Sequence, residues 1–274
     1  DGVIAAPALT GAVLEPYATN AGTADKPHWV PGSSRGPAVY FPPAVLSDVL
    51  VKLARAGIDP HMHADGDGAV RAGLDGIAAL RKALPSADIR PAIAHDEIVA
   101  PSDFARYKAL GAIPVLSFQW EKPAPDTLGL IHYFGPERMK ILEPAGLLAS
   151  AGARIAFGSD WPVDKLDEWF ALKVGVTRTN APNAPPEYHG RLGEDPGLSP
   201  ADALRAATIN AAYELHEDDV TGSIETGKFA DIIILDRNPL QIPPEDIANI
   251  QVLETVVGGN TVYASPALSK GEIR

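Results

Sequence analysis

Three residues far apart in the chain are of the types that hold a divalent metal: His63, His95 and Asp160. Each closes or directly follows a short apolar run. His63 ends Ile58-Asp59-Pro60-His61-Met62-His63, and His95 ends Pro91-Ala92-Ile93-Ala94-His95. Asp160 lies in Phe157-Gly158-Ser159-Asp160-Trp161-Pro162-Val163, just after Ala153-Arg154-Ile155-Ala156. Runs of this length with a β-branched residue inside read as buried strands, which places each polar residue at a strand's C-terminal end. In barrels of alternating strands and helices that end carries the chemistry. Two imidazoles and a carboxylate at one barrel mouth suit a divalent metal such as zinc, with a position left for water, and so suit hydrolysis.

Asp160 would bind the metal, accept a proton from the attacking water, or both, since a carboxylate beside a divalent cation stays ionised. Its other reading is as the cap of the next helix. His61 shares a strand face with His63 and is a rival ligand. Asp65, Asp67, Asp96 and Glu97 are either partners that orient the imidazoles or solvated acids. Arg138 and Arg178 could pair with substrate oxygens or be spent in salt bridges. Arg138, Trp120 and Trp161 are the expected substrate-binding residues. No serine-hydrolase elbow and no P-loop occurs, and Asp65-Gly66-Asp67-Gly68 lacks the rest of a calcium loop.

The elements that must position these residues follow from the pattern. Pro42-Pro43 opens a helix to about residue 56, with Leu46, Val49, Leu50 and Leu53 on one face and Gly57 at its end. A strand over 58–63 leads to a helix near 67–83 carrying Val70, Leu74, Ile77 and Leu80 on one side. A strand over 90–95, a helix from Pro101 to Gly111, a strand over 112–118, an irregular loop over 119–135, a helical stretch to Ser150 and a strand over 153–157 follow. Next come a helix around 166–176, a loop over 180–198 and a helix from Ser199 to Tyr213. Strict alternation argues for a parallel sheet, and the fold class is α/β. Only about four strands lie between 58 and 160, so the chain reads as the second half of an eight-stranded barrel. From about residue 220 the pattern changes to strands alone: 231–236, 250–254 and 255–263, the last interrupted by Gly258-Gly259-Asn260. The expected organisation is residues 1–219 as the barrel portion and 220–274 as part of a small β-sandwich. Residues 13–42 read as a long binding loop, with Tyr17, His28, Trp29 and Tyr40 lining a pocket or packing the loop down.

Composition narrows the function. With 274 residues there is room for one large domain, or one plus a small one. A net charge of −12 argues against a phosphate-backbone partner and an anionic membrane surface. No window approaches the roughly 18 apolar residues of a membrane span. Cysteine is absent, which excludes disulfides and thiolate zinc sites and leaves His, Asp and Glu as ligands. Asp1-Gly2-Val3-Ile4 starts without cap, turn or signal peptide, so the chain reads as the interior of a longer one, soluble and by default cytoplasmic. A small-molecule substrate and a homo-oligomer are compatible with these features.

The motifs resemble the amidohydrolase superfamily, in particular the amidohydrolase 3 branch that includes N-substituted formamide deformylases. The matching pieces are Asp1-Gly2-Val3-Ile4, Leu14-Glu15-Pro16-Tyr17, His63-Ala64-Asp65-Gly66-Asp67, Ala94-His95-Asp96-Glu97, Gly158-Ser159-Asp160-Trp161-Pro162-Val163, Thr208-Ile209-Asn210-Ala211-Ala212-Tyr213 and Gly222-Ser223-Ile224-Glu225-Thr226-Gly227-Lys228-Phe229-Ala230-Asp231. The resemblance implies a TIM-like barrel with a small β-sandwich, and hydrolysis of an amide or other C–N bond with one or two zinc ions. It implies that His63 and His95 are the metal histidines of the fifth and sixth strands, and that Asp160 is the eighth-strand acid that binds metal and shuttles protons. The family's first-strand His-x-His pair, and its fourth-strand residue, often a carboxylated lysine, would precede Asp1. An upstream segment or companion chain is therefore expected to supply them. Asp65 and Gly68 replace the family's usual Ile and Arg, and Ala94 replaces a Glu. Ester or lactone hydrolysis, or a catalytically silent barrel used for binding or assembly, are the alternatives these departures leave open.

Overall fold

The structure, a computed structural model, describes residues 1–266. Residues 13–42, expected to be loop throughout, contain an antiparallel ribbon of β1 (Ala18–Asn20) and β2 (Trp29–Pro31), with Thr19 opposite Val30. The expected alternation then begins. Helix α1 (Pro43–Arg55) starts on a proline, which needs no hydrogen-bond donor in a first turn. Strand β3 (His61–Ala64), helix α2 (Asp67–Ala83), strand β4 (Ala92–His95), helix α3 (Phe104–Leu110) and strand β5 (Ile113–Leu116) follow. The left-handed Gly111 ends α3 where the sequence places a stop.

Residues 119–135, expected to be irregular, hold two short helices, α4 (Pro125–Leu128) and the start of α5 (Ile131–Met139). Gly135, at φ 71° and ψ 170°, kinks α5 just before Pro136, which hides its helical period from the sequence. Helix α6 (Ala145–Ser150) and strand β6 (Ala156–Phe157) complete this region. Beyond Asp160 come α7 (Glu168–Thr177), α8 (Pro200–Ala206) and α9 (Ile209–Glu214). The single helix expected over 199–213 breaks at Thr208, whose φ of −128° and ψ of −98° are not helical.

Strands β3 to β6 form one parallel sheet in sequence order, and the molecule is of mixed α/β class. Among the described residues, β3 and β6 each pair on one side only. The apolar face of α2 is the centre of the core: Val70, Leu74, Ile77 and Leu80 are all fully buried. Burying each such side chain contributes about 1.5–3 kcal/mol before entropy is counted. Gly76 lets α1 approach, since a Cβ there would lie 2.8 Å from a Leu50 methyl. The chain ends in an antiparallel sheet of β7 (Ile232–Leu235), β8 (Val252–Val257) and β9 (Asn260–Ala264). The turn falls at Gly258-Gly259, so the strand boundary expected at residue 255 is absent and β8 runs through it. Among the described residues no helix is long and apolar enough to cross a membrane.

Candidate metal centre

The register of β3 against β4 sets His63 beside Ala94 and Ala64 beside His95. Strict alternation would turn His95 to the opposite face from His63. His95 instead leaves the extended region, with φ 82°, and Asp96 follows at φ 52°. The rings consequently meet edge to face, 4.5 Å between centroids. Non-glycine residues in this conformation are strained and cluster at functional sites.

His63, Asp65 and His95 each offer a ligand atom, and these atoms lie within 4.8 Å of one another. Asp65 is almost fully buried, at 1 % exposure, while His63 remains open. His63 Nε2 lies 3.5 Å from Asp65 Oδ1, and its Nδ1 lies 3.3 Å from Asp1 Oδ1. The Asp1 carboxylate accepts backbone N–H bonds from Ala12 at 2.8 Å, Gly66 at 3.0 Å and Asp65 at 3.1 Å. It therefore fixes the turn after β3 and faces the His63 ring at once. Gly66 is required here because a Cβ would stand 2.1 Å from the Ala12 carbonyl oxygen.

The donor set fits a divalent cation. Asp65 Oδ1 and His95 Nδ1 are buried with no hydrogen-bond partner, a cost that native interiors rarely leave unmet. Burial, then the neighbouring His63, lowers His95 to a pKa of about 4, so it is the neutral ligating form at pH 7. Burial, then the charge of Glu97, raises Asp65 to about 8, against the opposing pull of His63. Two imidazole nitrogens and a carboxylate oxygen are the donors zinc takes.

Asp160 is exposed and stands outside this three-residue group, yet its negative charge favours protonated His95, which brings it within electrostatic reach. Its φ of 53° bends the chain away from β6. It does not cap the next helix: Asp167 does, accepting from Phe170 N at 3.1 Å. His61 lies outside the group too, its Nδ1 2.9 Å from Glu214.

Trp120 stacks flat on His95, 5.5 Å between centroids at 12°. Trp161 is 65 % exposed beside Asp160. Arg138 is half-buried over the Phe134 ring, 4.1 Å away, and donates to the Glu15 carbonyl at 3.2 Å. Arg178 is not a substrate residue. It is fully buried, bonded to the Leu142, Glu143 and Leu192 carbonyls and ion-paired to Glu121 at 3.3 Å and Asp195 at 3.6 Å. Asp67 accepts from Leu14 N at 2.8 Å, and Asp96 from the Tyr107 hydroxyl. Of the loop aromatics, Tyr17 packs on Phe134 and is buried, Trp29 stacks on His132, and Tyr40 is exposed beside a cavity of about 420 Å³ that reaches His63. A second cavity, about 410 Å³, lies between Trp120 and the loop after Asp160.

Sequence reasoning did not single out Asp1 as a positioning residue, nor Asp65 as a donor in its own right. The Asp-Gly-Val start was visible as a motif, but only the fold shows that it meets the turn after β3.

A family model described as the amidohydrolase family matches residues 5–263. N-substituted formamide deformylase of Arthrobacter pascens is 28 % identical over 230 residues, covering 82 % of this chain and 40 % of that protein. Protein LONG AFTER FAR-RED 3 of Arabidopsis thaliana is 31 % identical over 222 residues, covering 81 % and 37 %. The crystal structure of an uncharacterized metal-dependent hydrolase from Pyrococcus horikoshii OT3 superposes with a TM-score of 0.68 at 25 % identity, covering 86 % of this chain and 43 % of that one. The chain thus spans about 40 % of the length of the curated relatives it matches.

Proposed function

The chain belongs to the amidohydrolase family, and from that premise we propose that it carries the C-terminal part of a metal-dependent hydrolase of an amide or other C–N bond. The observation that supports this best is the convergence of His63, Asp65 and His95, with Asp65 Oδ1 and His95 Nδ1 buried and without a hydrogen bond. His63 and His95 would hold the metal, zinc in one or two ions, joined by Asp65 and by Asp160 from the far strand. A bound divalent ion would supply Lewis acidity toward the substrate carbonyl and lower the pKa of water. Asp160 takes the proton of the attacking water and returns it to the leaving nitrogen. Trp120 and Trp161 would flank the substrate, and Arg138, whose Nη2 lies 3.8 Å from Asp67 Oδ1 without a hydrogen bond, would offer it a polar contact.

We read residues 1–219 and 220–274 as two units, a division supported by the change from the parallel sheet that ends at β6 to the antiparallel one that starts at β7. Four parallel strands are half of a (β/α)8 barrel, and the three-stranded sheet is part of a β-sandwich in this reading. An upstream segment or a companion chain would supply the remaining strands and ligands.

Metal analysis tests the assignment. The purified protein and a His63→Ala, His95→Ala double variant are dialysed against zinc and measured by mass spectrometry. At least one equivalent of zinc is expected in the first and less than a tenth of that in the second. Equal contents would reject the site. A panel of formamides, N-acyl amines and esters then separates C–N from ester hydrolysis.

A further inference from the structure

We propose that the cavity walled by Trp120, Glu97 and Glu143 is a subsite for an alkylammonium group, so that the substrate carries a cationic amine beside the bond to be cleaved. This rests on the hydrolase reading above and names its substrate class. The cavity adjoins the metal centre because one wall, Trp120, stacks on His95, and another is the loop that follows Asp160, through Val163 and Asp164.

Its lining is acidic. Glu97, Glu143, Asp126 and Asp164 face it, against the single ammonium of Lys122. Lys122 is held by the Gln119 carbonyl; Asp164, Glu143 and Asp126 favour its charge, though among the described residues none lies within ion-pair distance of it. Glu143 is the decisive side chain. It is 6 % exposed and faces the cavity, and among the described residues no hydrogen bond or salt bridge reaches its carboxylate; burial, then Glu121, raises its pKa well above the ordinary carboxylate range, against the weaker pull of Arg178 and Lys122. Nearby Arg178 favours its charge from a distance, but its close contacts are the Glu143 backbone carbonyl and the carboxylates of Glu121 and Asp195. Burial disfavours the ionised carboxylate, and an arriving opposite charge shifts it back to the charged form with loss of its proton. An ammonium supplies that charge and three donors, and the Trp120 face adds a cation–π wall. A cavity of about 410 Å³ has room for a small amine.

Calorimetric titration of the full 274-residue chain at pH 7.5 with benzylammonium, and separately with benzyl alcohol, tests the subsite. Benzylammonium is expected to bind at least tenfold more tightly, and Glu143→Gln to remove that preference while leaving benzyl alcohol unchanged, which also certifies the variant's fold. Equal affinities in the unmodified chain, no binding of either probe, or a preference that survives Glu143→Gln would overturn it. The titration needs neither metal nor turnover, so a failed hydrolysis panel leaves it standing. Conversely, turnover of neutral amides with a kcat/KM equal to that of their ammonium-bearing counterparts would remove the subsite and keep the hydrolase.

Discussion

At the scale of single residues, two carboxylates would decide the chemistry proposed above. Asp65 holds its proton to about pH 8 without metal, because burial and Glu97 both disfavour its charge. Metal ligation requires the ionised form, so binding must displace that proton. Apparent zinc affinity is expected to rise by up to about tenfold per pH unit from pH 6 to pH 8 and to level off above. Competition with a chromophoric chelator measures it, and Asp65→Asn should flatten the slope; an unaltered slope in that variant would show the proton comes from elsewhere. In the metal-free fold the sign for stability is opposite: a raised carboxyl pKa stabilises at low pH and loses that contribution as pH climbs toward 8. Asp160→Asn should cut turnover about 10²–10⁴-fold, the usual worth of a positioned general base. Asn tolerates the left-handed backbone at φ 53°, so the melting curve should be unmoved; full activity would end the role. The placing of His63 and His95 side by side was legible because each closes an apolar run, whereas Asp160, also read from such a run, lies outside the three-residue group. Asp65 was visible only as one of four neighbouring acids, since its burial comes from the Ala12 and Asp1 segments folding over it.

At the scale of elements, the loops between strands are tied by buried charge. Asp195 accepts from the Gly146, Leu147 and Gly197 amides, at 3.0, 2.9 and 2.7 Å, and so caps α6 from a distant loop. Arg178 joins that loop to the segments at Glu121 and Glu143. Arg178→Met strands two buried carboxylates and should cost about 3–5 kcal/mol. Urea unfolding reads this directly, and a loss below about 1 kcal/mol would mean the carboxylates find other partners. Helix α2 and strands β3 to β5 were legible, because an amphipathic period and short apolar runs report directly on packing. The role of Arg178 was not, since nothing local distinguishes a buried arginine from an exposed one. The α5 kink and the α8–α9 break were hidden too, because backbone dihedrals set by tertiary contacts leave no periodic trace.

At the scale of the whole molecule, the parallel sheet stops at β3 on one side and β6 on the other among the described residues. Unpaired strand edges invite further strands. Under the proposal that an upstream segment completes the barrel, co-expression with that segment as a separate chain is expected to yield a co-purifying complex with a higher melting temperature than this chain alone. Two species that elute independently would reject complementation. The alternation of strand and helix made this architecture readable, whereas the number of strands could be counted only up to those the chain contains.

Trp120 lying flat against His95 has one practical consequence. The His95 imidazole is neutral at pH 7, so an ion bound to that ring would place a positive charge beside the indole and alter its emission. The protein therefore carries an optical gauge of what occupies its centre, and a Trp120→Phe control isolates that signal from the other three tryptophans among its total of 4.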